Sequence, residues 1–336
     1  MNPYEGTGSD IIGRFRESFE GRRILVTGAD GFMGSHLSET LLECGADVGI
    51  VVRGSARLGS GTWDFRCLET PAHAFHTVIA CDIASPDLRA MISDFKPEII
   101  FHLAAVAYVN YSFDHPDEVF RVNAVGTLNL LEAARSLEGL ERLIVTSSSE
   151  VYGPALSEAI SEQHPLNPSS PYAASKLAAD RLAYSYRMTY GMPIVIVRPF
   201  NTYGPRHTYD VIPKFLRLAL SGNPLTIYGD GLQERDFSYV ADTIQGFLLA
   251  GSHQAAKGGV FNFGTGRSIS IRKLAEAIRD LFEGAIPIVH TESRAAEVAR
   301  LRADISRAKN MLGFQPVISL EEGLRRNVEW MKSRIA

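Results

Sequence analysis

A tyrosine and a lysine stand four residues apart in Pro171-Tyr172-Ala173-Ala174-Ser175-Lys176. On a helix such positions share a face, so the ammonium can lie beneath the phenol. A cation there lowers the phenol from its ordinary value of about 10 and brings phenolate within reach of neutral pH. A tyrosine so placed can take the proton of a sugar hydroxyl as hydride leaves the same carbon. The pair alone is weak, because both residue types are common on helices. A second polar run, Thr146-Ser147-Ser148-Ser149-Glu150-Val151-Tyr152-Gly153, strengthens it. It follows a strand-like stretch, Arg142–Val145, so its hydroxyls fall at the C-terminal edge of a sheet, where open α/β sheets bind ligands. Ser148 can share the substrate proton with Tyr172, and Glu150 is a candidate general base. Ordinary turn chemistry for the serines and a surface position for Glu150 are the competing readings.

Hydride needs an acceptor, and the N-terminal part of the chain carries a pattern suited to one. The apolar run Ile24–Val26 breaks at Gly28-x-x-Gly31-x-x-Gly34, and a helix-compatible run continues through Leu37, Leu41 and Leu42. Strand, tight turn and helix start follow one another. Glycines let the backbone close on a pyrophosphate, and the helix N-terminus presents free N–H groups and a positive dipole end. Phe32 and Met33, inside the turn, are assigned to the same contact. The second strand of such a unit usually ends in an acid that holds the adenosine ribose, about twenty residues past the glycines. Here it ends Val52-Arg53-Gly54-Ser55. An arginine favours the 2′-phosphate of NADP, so the expectation leans to NADP over NAD, against the alternative of a plain surface arginine. Asp82, with Ile83 after the next strand, either accepts a hydrogen bond from the adenine amino group or caps the following helix.

The elements that must hold these groups alternate strand and helix. Strands are expected at Ile24–Val26, Val48–Val52, Thr77–Cys81, Ile99–Leu103, Arg142–Thr146 and Ile194–Arg198. Helices are expected at Met33–Cys44, Leu88–Phe95, Val119–Leu137 and Leu177–Tyr190, with a further one around Ile11–Phe19 to which no function is assigned. Repeated βα units with short strands predict an α/β fold, a Rossmann-type doubly wound parallel sheet. After Pro199 turns cluster, which predicts a smaller C-terminal substrate-binding lobe. The expected organisation is an N-terminal extension (1–20), a dinucleotide-binding domain (21–200, with segments near 232–262 returning to it) and a lobe spanning 201–336.

Bulk composition narrows the class. The chain has 336 residues, 45% hydrophobic and 21% charged, with a net charge of −4, which suits a globular protein with a sizeable core. It has no basic run, so no electrostatic footprint for nucleic acid or an anionic membrane surface is expected. No stretch approaches about 18 consecutive apolar residues, so no membrane span is expected. The polar Met1–Asp10 lacks the apolar core of a secretory signal. Cys44, Cys67 and Cys81 lack metal-ligand spacing and read as reduced structural thiols of a cytoplasmic protein, with no metal.

Taken together, Gly28-x-x-Gly31-x-x-Gly34, His102-Leu103-Ala104-Ala105, Ser148 to Glu150, Tyr172-x-x-x-Lys176 and Arg198-Pro199-Phe200-Asn201-Thr202-Tyr203-Gly204-Pro205 have an order and spacing that resembles the extended short-chain dehydrogenase/reductase family. These are the nucleotide-sugar epimerases and dehydratases, and the resemblance covers about residues 22–335. It implies that the glycines cradle the pyrophosphate of a tightly held, recycled cofactor. Leu103, Ala104 and Ala105 would line that cofactor, with Pro199 and Asn201 beside the nicotinamide and the sugar phosphates. It implies Ser148, Tyr172 and Lys176 as the catalytic triad. In the C-terminal part, Lys214 lies in one nucleotide-binding segment, Arg235 in a second, and Arg294, followed by Glu297, is similar to a distal arginine that also clasps the nucleotide. Localised arginines suit a diphosphate on an acidic chain.

The resemblance also bears on the reaction. In the 4,6-dehydratases of the family, a glutamate two residues past the triad Ser/Thr removes the C5 proton; Glu150 stands there, where epimerases typically carry no acid. Ser149 departs from the hexose dehydratases that use an aspartate as the acid, and the Ser-Glu pair resembles the GDP-mannose and GDP-N-acetylglucosamine types. UDP-glucuronate decarboxylases share the pair but usually carry charged residues around the tyrosine, where Pro171–Ser175 has none. A dehydratase is therefore expected, with a 4-epimerase, a 4-keto-sugar reductase, the decarboxylase or a cofactor-binding module without turnover as alternatives. Tyr108, Asn110 and Ser112 either face the substrate or serve the core and loops. The helices Val119–Leu137 and Leu177–Tyr190 either build the four-helix homodimer interface common in the family or simply pack on the sheet.

Overall fold

The computed structural model describes residues 11–53, 63–292 and 298–335. Seven parallel strands form one sheet: β1 (Arg23–Thr27), β2 (Asp47–Val52), β3 (Thr77–Ala80), β4 (Ile99–His102), β5 (Arg142–Thr146), β6 (Ile194–Pro199) and β7 (Val260–Phe263). Their order across the sheet is β7-β6-β5-β4-β1-β2-β3, so the winding reverses between β1 and β4. That reversal opens the crevice at the carboxyl ends of the strands in which such sheets bind ligands.

Each strand is apolar on both faces because helices cover both. Ile24, Val26, Val48, Ile50 and Phe101 point to one side, against the helices Ile11–Phe19, Phe32–Glu43 and Val240–Ser252. Leu25, Val51, Ile100, Leu143, Val145 and Ile196 point to the other, against Leu88–Ser93, Gly126–Arg135 and Pro171–Tyr190. The fold is the expected one.

Some elements differ from the sequence reading. The helix Ile11–Phe19 is part of the core, burying Ile11, Phe15 and Phe19. The expected long helix Val119–Leu137 runs instead from Pro116 to Arg135 and widens to a π-helical turn at Arg121–Val125. The helix expected from Leu177 starts at Pro171, because the Ser170 hydroxyl caps it through the Ala173 N–H and proline suits the first turn. Helix Val240–Ser252 is buried nearly all round, so it has no amphipathic stripe to read. No described helix is long and apolar enough to cross a membrane.

After Pro199 the chain builds short pairings: Asn201–Tyr203 with Phe237–Tyr239, and Leu225–Tyr228 with Ile288–Thr291. Glu234–Arg235 lies between Ile269–Ser270 and Arg300–Leu301. The helix Val211–Leu220 and these strands form the wall opposite the carboxyl ends of β5 and β6.

Candidate active site

The glycine turn is tied down from several sides. Gly28 has φ +71°, and a Cβ there would meet the Ala104 nitrogen at 2.6 Å. Only glycine lets the loop after β1 approach Leu103 and Ala104 after β4 so closely. A Cβ on Gly34 would lie 2.1 Å from the Gly28 carbonyl oxygen, so the helix packs directly on the turn. We expect Gly34→Ala to destabilise the protein by about 1–3 kcal/mol through overpacking, read as a lowered Tm. A Tm equal to wild type would show that the turn is not closed as described. Gly31 occupies the cap of Phe32–Glu43 without a side-chain cap, so the first N–H groups of this helix stay open to an anion. The residues present thus fit a dinucleotide pyrophosphate.

Beside the turn, His102 bridges two hydroxyls: Nδ1 meets Thr27 Oγ1 at 2.7 Å and Nε2 meets Thr127 Oγ1 at 2.9 Å. Burial first, and the Lys176 charge second, push its pKa down to about 3, which keeps the imidazole neutral. The Ala104 N–H donates to the same Thr27 hydroxyl at 3.2 Å. Arg53 is exposed at the end of β2. Asp82 accepts from the Ala84 N–H at 2.9 Å and from Arg121 Nη1 at 2.9 Å, so it closes its own turn and pairs with an arginine. Burial works to raise the Asp82 carboxyl, but Ala84, Arg121 and Arg53 outweigh it and hold it below the ordinary value. Ile83 is buried beneath it, against Gly126.

A cleft of about 520 Å³ opens from this turn across the sheet edge. It brings together Phe32, Met33, Tyr108, Ser148, Ser149 and Glu150 with Tyr172, Pro199, Asn201, Lys214 and Arg235, elements far apart in sequence. Lys176 and Leu103 to Ala105 are not part of this lining. Arg294 and Glu297, with the loop Gly54–Gly61, fall outside the described residues. Asn201 presents a buried Oδ1 that has no hydrogen-bond partner among the described residues. Lys214 lies over the Tyr228 ring and donates to its hydroxyl at 3.2 Å. Arg235 Nη1 donates to the Val298 carbonyl at 2.7 Å and to the Glu234 carbonyl at 2.9 Å.

Ser148 caps the turn Ser149–Tyr152, its Oγ accepting from the Glu150 N–H at 3.2 Å. That bond aims Glu150 into the cleft. Its carboxylate takes no hydrogen bond or ion pair among the described residues, while burial and then nearby Asp210 raise its pKa against the opposing charge of Arg235. Burial raises the structural carboxylates Asp236 and Asp242 as well, but these are committed: Asp236 accepts from Thr265, Gly266 and Ala303, and Asp242 from the Val317 and Ile318 N–H groups.

Tyr172 corrects one expectation. Lys176 does share its helix face, but the Lys176 Nζ donates to the Thr146 carbonyl at 2.5 Å. Burial therefore dominates the phenol and drives its pKa up, with Glu150 and Asp210 adding to the rise and Ser148 opposing it. Burial also lowers Lys176 to about 8, against the pull of Asp180.

Several positioning groups escaped the sequence reading. In the π-helical turn, the Asn123 Oδ1 accepts from the Val106 N–H at 2.8 Å, and its amide donates to Ser175 Oγ at 2.9 Å. It thus locks the loop after β4 to the tyrosine helix; widened turns of this kind recur at functional sites. The segment after Pro205 forms an aromatic ladder along the cleft. His207 stacks on Phe32 with centroids 4.5 Å apart, Tyr209 meets His207 at 4.6 Å, and Tyr108 meets Tyr209 at 5.6 Å. The ladder links the glycine turn to the outer lip.

Comparisons with known proteins agree with this geometry. The family model described as GDP-mannose 4,6 dehydratase matches residues 25–327. A UDP-glucose 4-epimerase of Mycolicibacterium smegmatis is 38% identical over 93% of this chain and 99% of its own. A dTDP-glucose 4,6-dehydratase of Neisseria meningitidis is 32% identical over 92% of this chain and 93% of its own. Among solved structures, the dTDP-glucose 4,6-dehydratase DesIV of Streptomyces venezuelae, with NAD and TYD bound, superposes with a TM-score of 0.83. It is 30% identical, and the match covers 93% of this chain and 97% of that one.

Proposed function

We propose, for a chain that belongs to the extended short-chain dehydrogenase/reductase family of nucleotide-sugar epimerases, dehydratases and decarboxylases, that it is a nucleotide-sugar 4,6-dehydratase. The observation that carries this reading is Glu150, a largely buried carboxylate in the cleft without a hydrogen-bond partner among the described residues. A base must be desolvated and uncommitted to take a carbon-bound proton, and no C4 epimerisation needs one there.

In this reading Gly28, Gly31 and Gly34 hold the pyrophosphate of a nicotinamide cofactor at the helix N-terminus, with Phe32, Met33, Leu103 to Ala105 and Pro199 beside it. Held there, the cofactor would supply the hydride chemistry, oxidation at C4 of the sugar and reduction at C6. Tyr172 takes the proton of the C4 hydroxyl, and Ser148 shares it. Lys176, held on Thr146, keeps a positive charge below the tyrosine. The C4 ketone acidifies the neighbouring C5–H. Glu150 removes that proton and passes it to the C6 hydroxyl, which leaves as water. C5 takes a proton from solvent as C6 takes hydride, while Tyr172 returns the C4 proton to solvent. Ser149 sits beside Glu150. Asn201, Lys214, Arg235 and Arg294 hold the nucleotide diphosphate. Arg53 favours NADP by charge, whereas solved neighbours whose titles name a cofactor carry NAD.

A 4-epimerase is the second reading, favoured by the 38% identity to a UDP-glucose 4-epimerase. The two diverge in product. We expect purified protein incubated with GDP-mannose, UDP-glucose, UDP-N-acetylglucosamine and dTDP-glucose to convert one of them to a 4-keto-6-deoxy sugar. Mass spectrometry reads this as loss of water without net cofactor consumption. A C4 epimer alone, or carbon dioxide from a uronate, would overturn the dehydratase. Mass analysis of the dinucleotide released on denaturation tells NADP from NAD.

Two copies are proposed to pair through the helices that frame the tyrosine. Their outer faces expose Phe120, Tyr184, Met188 and Tyr190, an apolar set that a four-helix contact would cover. Three free, buried cysteines accord with a cytoplasmic site of action.

A further inference from the structure

Two carboxylates face the cleft near Tyr172, and the chemistry above uses only Glu150. The other belongs to Asp210, which lies in the same lining. Its backbone has φ +70° and ψ −179°, a strained combination that residues other than glycine rarely adopt. It stands directly before the helix Val211–Leu220, yet its side chain makes no capping bond to that helix. Instead Oδ2 lies 3.3 Å from His207 Nε2, and the carboxylate takes no other hydrogen bond or ion pair among the described residues. An aspartate at this position ordinarily turns back onto the helix N–H groups. This one is turned into the cleft, close enough that its charge raises the proton affinity of both Glu150 and Tyr172.

The lining also carries three cations, each held by a neutral partner. Lys214 rests on Tyr228, Arg217 donates to the Thr208 carbonyl at 2.8 Å, and Arg235 donates to the Glu234 and Val298 carbonyls. Arg235 draws on Glu150, whereas the charges that act on Tyr172 itself are the carboxylates of Glu150 and Asp210.

We infer that Asp210 is a specificity-determining residue, which makes the sugar pocket a site for nucleotide hexoses neutral at C6 and turns away their C6-carboxylate counterparts. The inference rests on the reading that the cleft takes a nucleotide hexose, and it holds for a dehydratase and for a hexose 4-epimerase alike. In a hexose C4 and C6 are both bonded to C5. A sugar whose C4 hydroxyl meets the Tyr172 phenol thus places its C6 group in the same part of the cleft. A neutral CH₂OH there can donate a hydrogen bond to Asp210. A uronate carboxylate can only accept, and it becomes a third like charge beside Glu150 and Asp210. Rejection by an uncompensated charge is a direct route to discrimination between otherwise identical ligands.

The test uses purified protein with its retained cofactor and two ligand pairs differing only at C6: UDP-glucose with UDP-glucuronate, and GDP-mannose with GDP-mannuronate. Calorimetry gives the Kd of each. For the nucleotide that binds, the neutral sugar is expected to bind at least about tenfold tighter than the uronate. Asp210→Asn, which keeps the side-chain shape and removes only the charge, should bring that ratio close to unity by tightening the uronate. Asp210→Glu should preserve the preference. A uronate bound as tightly as the neutral sugar by wild type overturns the inference. So does a ratio unchanged in a folded Asp210→Asn. The inference is read from the binding ratio and the dehydratase from the product, so each can fail without the other.

Discussion

Glu150→Gln is expected to slow formation of the dehydrated sugar by about 10²–10⁴-fold, the usual contribution of a positioned general base. Oxidation at C4 should survive, because Ser148, Tyr172 and Lys176 remain in place. Mixing the variant with substrate should therefore still reduce the bound cofactor, while exchange of the C5 hydrogen with solvent deuterium stops. Tyr172→Phe gives the contrast, losing both steps at once. The sign of the pH dependence follows from the environment. Burial, then Asp210, raises the Glu150 carboxyl against the pull of Arg235. A base works deprotonated, so the wild-type rate should climb with pH through a limb above the ordinary carboxylate value, and that limb should vanish in Glu150→Gln. A variant that dehydrates at the wild-type rate, or keeps the limb, removes Glu150 from the proton transfer.

How much of this could be read from the chain depends on where the signal resides. The glycine turn is local in its pattern: β1, the turn and the helix are contiguous, and the steric demand at Gly34 comes from Gly28 itself, although that at Gly28 comes from Leu103 and Ala104 after β4. Tyr172 and Lys176 share one helix face, which spacing alone predicts. Where the ammonium points is not local, because its acceptor, the Thr146 carbonyl, comes from β5. Spacing therefore gives the shared face, whereas burial sends the phenol shift opposite to the expected direction. Asn123 was illegible for the same reason: an asparagine inside a helical run has no partner until Val106 and Ser175 arrive from other elements. Asp210 precedes an amphipathic helix and so reads as a cap. Only the positive φ and the His207 contact reveal a carboxylate turned into the cleft. Strand β7 lies between glycines, Gly258-Gly259 and Gly264, and joins the sheet only because β6 offers it an edge.

Arg198 carries the largest stability effect we expect outside the cleft. The guanidinium is 2% exposed, and it clasps the fully buried Asp180 through Nε at 2.8 Å and Nη2 at 3.1 Å. Its Nη1 donates to Tyr152 Oη at 2.9 Å, and that hydroxyl donates to Asn262 Oδ1 at 2.6 Å. One ion pair thus fastens β6 to the tyrosine helix, to the turn bearing Glu150 and to β7. Arg198→Met fills much of the volume but strands the Asp180 charge, with Arg181 at the surface as its remaining partner. Removing one member of a buried pair typically costs about 3–5 kcal/mol, which a denaturation series at pH 7 would read. Removing both charges, in Arg198→Met with Asp180→Leu, should recover most of that loss, since the desolvation is then no longer required. Acid provides the second check. In wild type, burial works to raise Asp180 but Arg198 outweighs it and holds the carboxyl below its ordinary value. Its stabilisation is present above the unfolded-state value and is lost only as pH falls through the lowered one. In Arg198→Met burial prevails and the carboxyl rises, so the penalty is full at neutral pH and fades as Asp180 takes a proton. The gap between variant and wild type should therefore narrow toward pH values near the ordinary carboxylate range. A single variant as stable as wild type, or a gap that widens in acid, would show that this ion pair does not hold the site together.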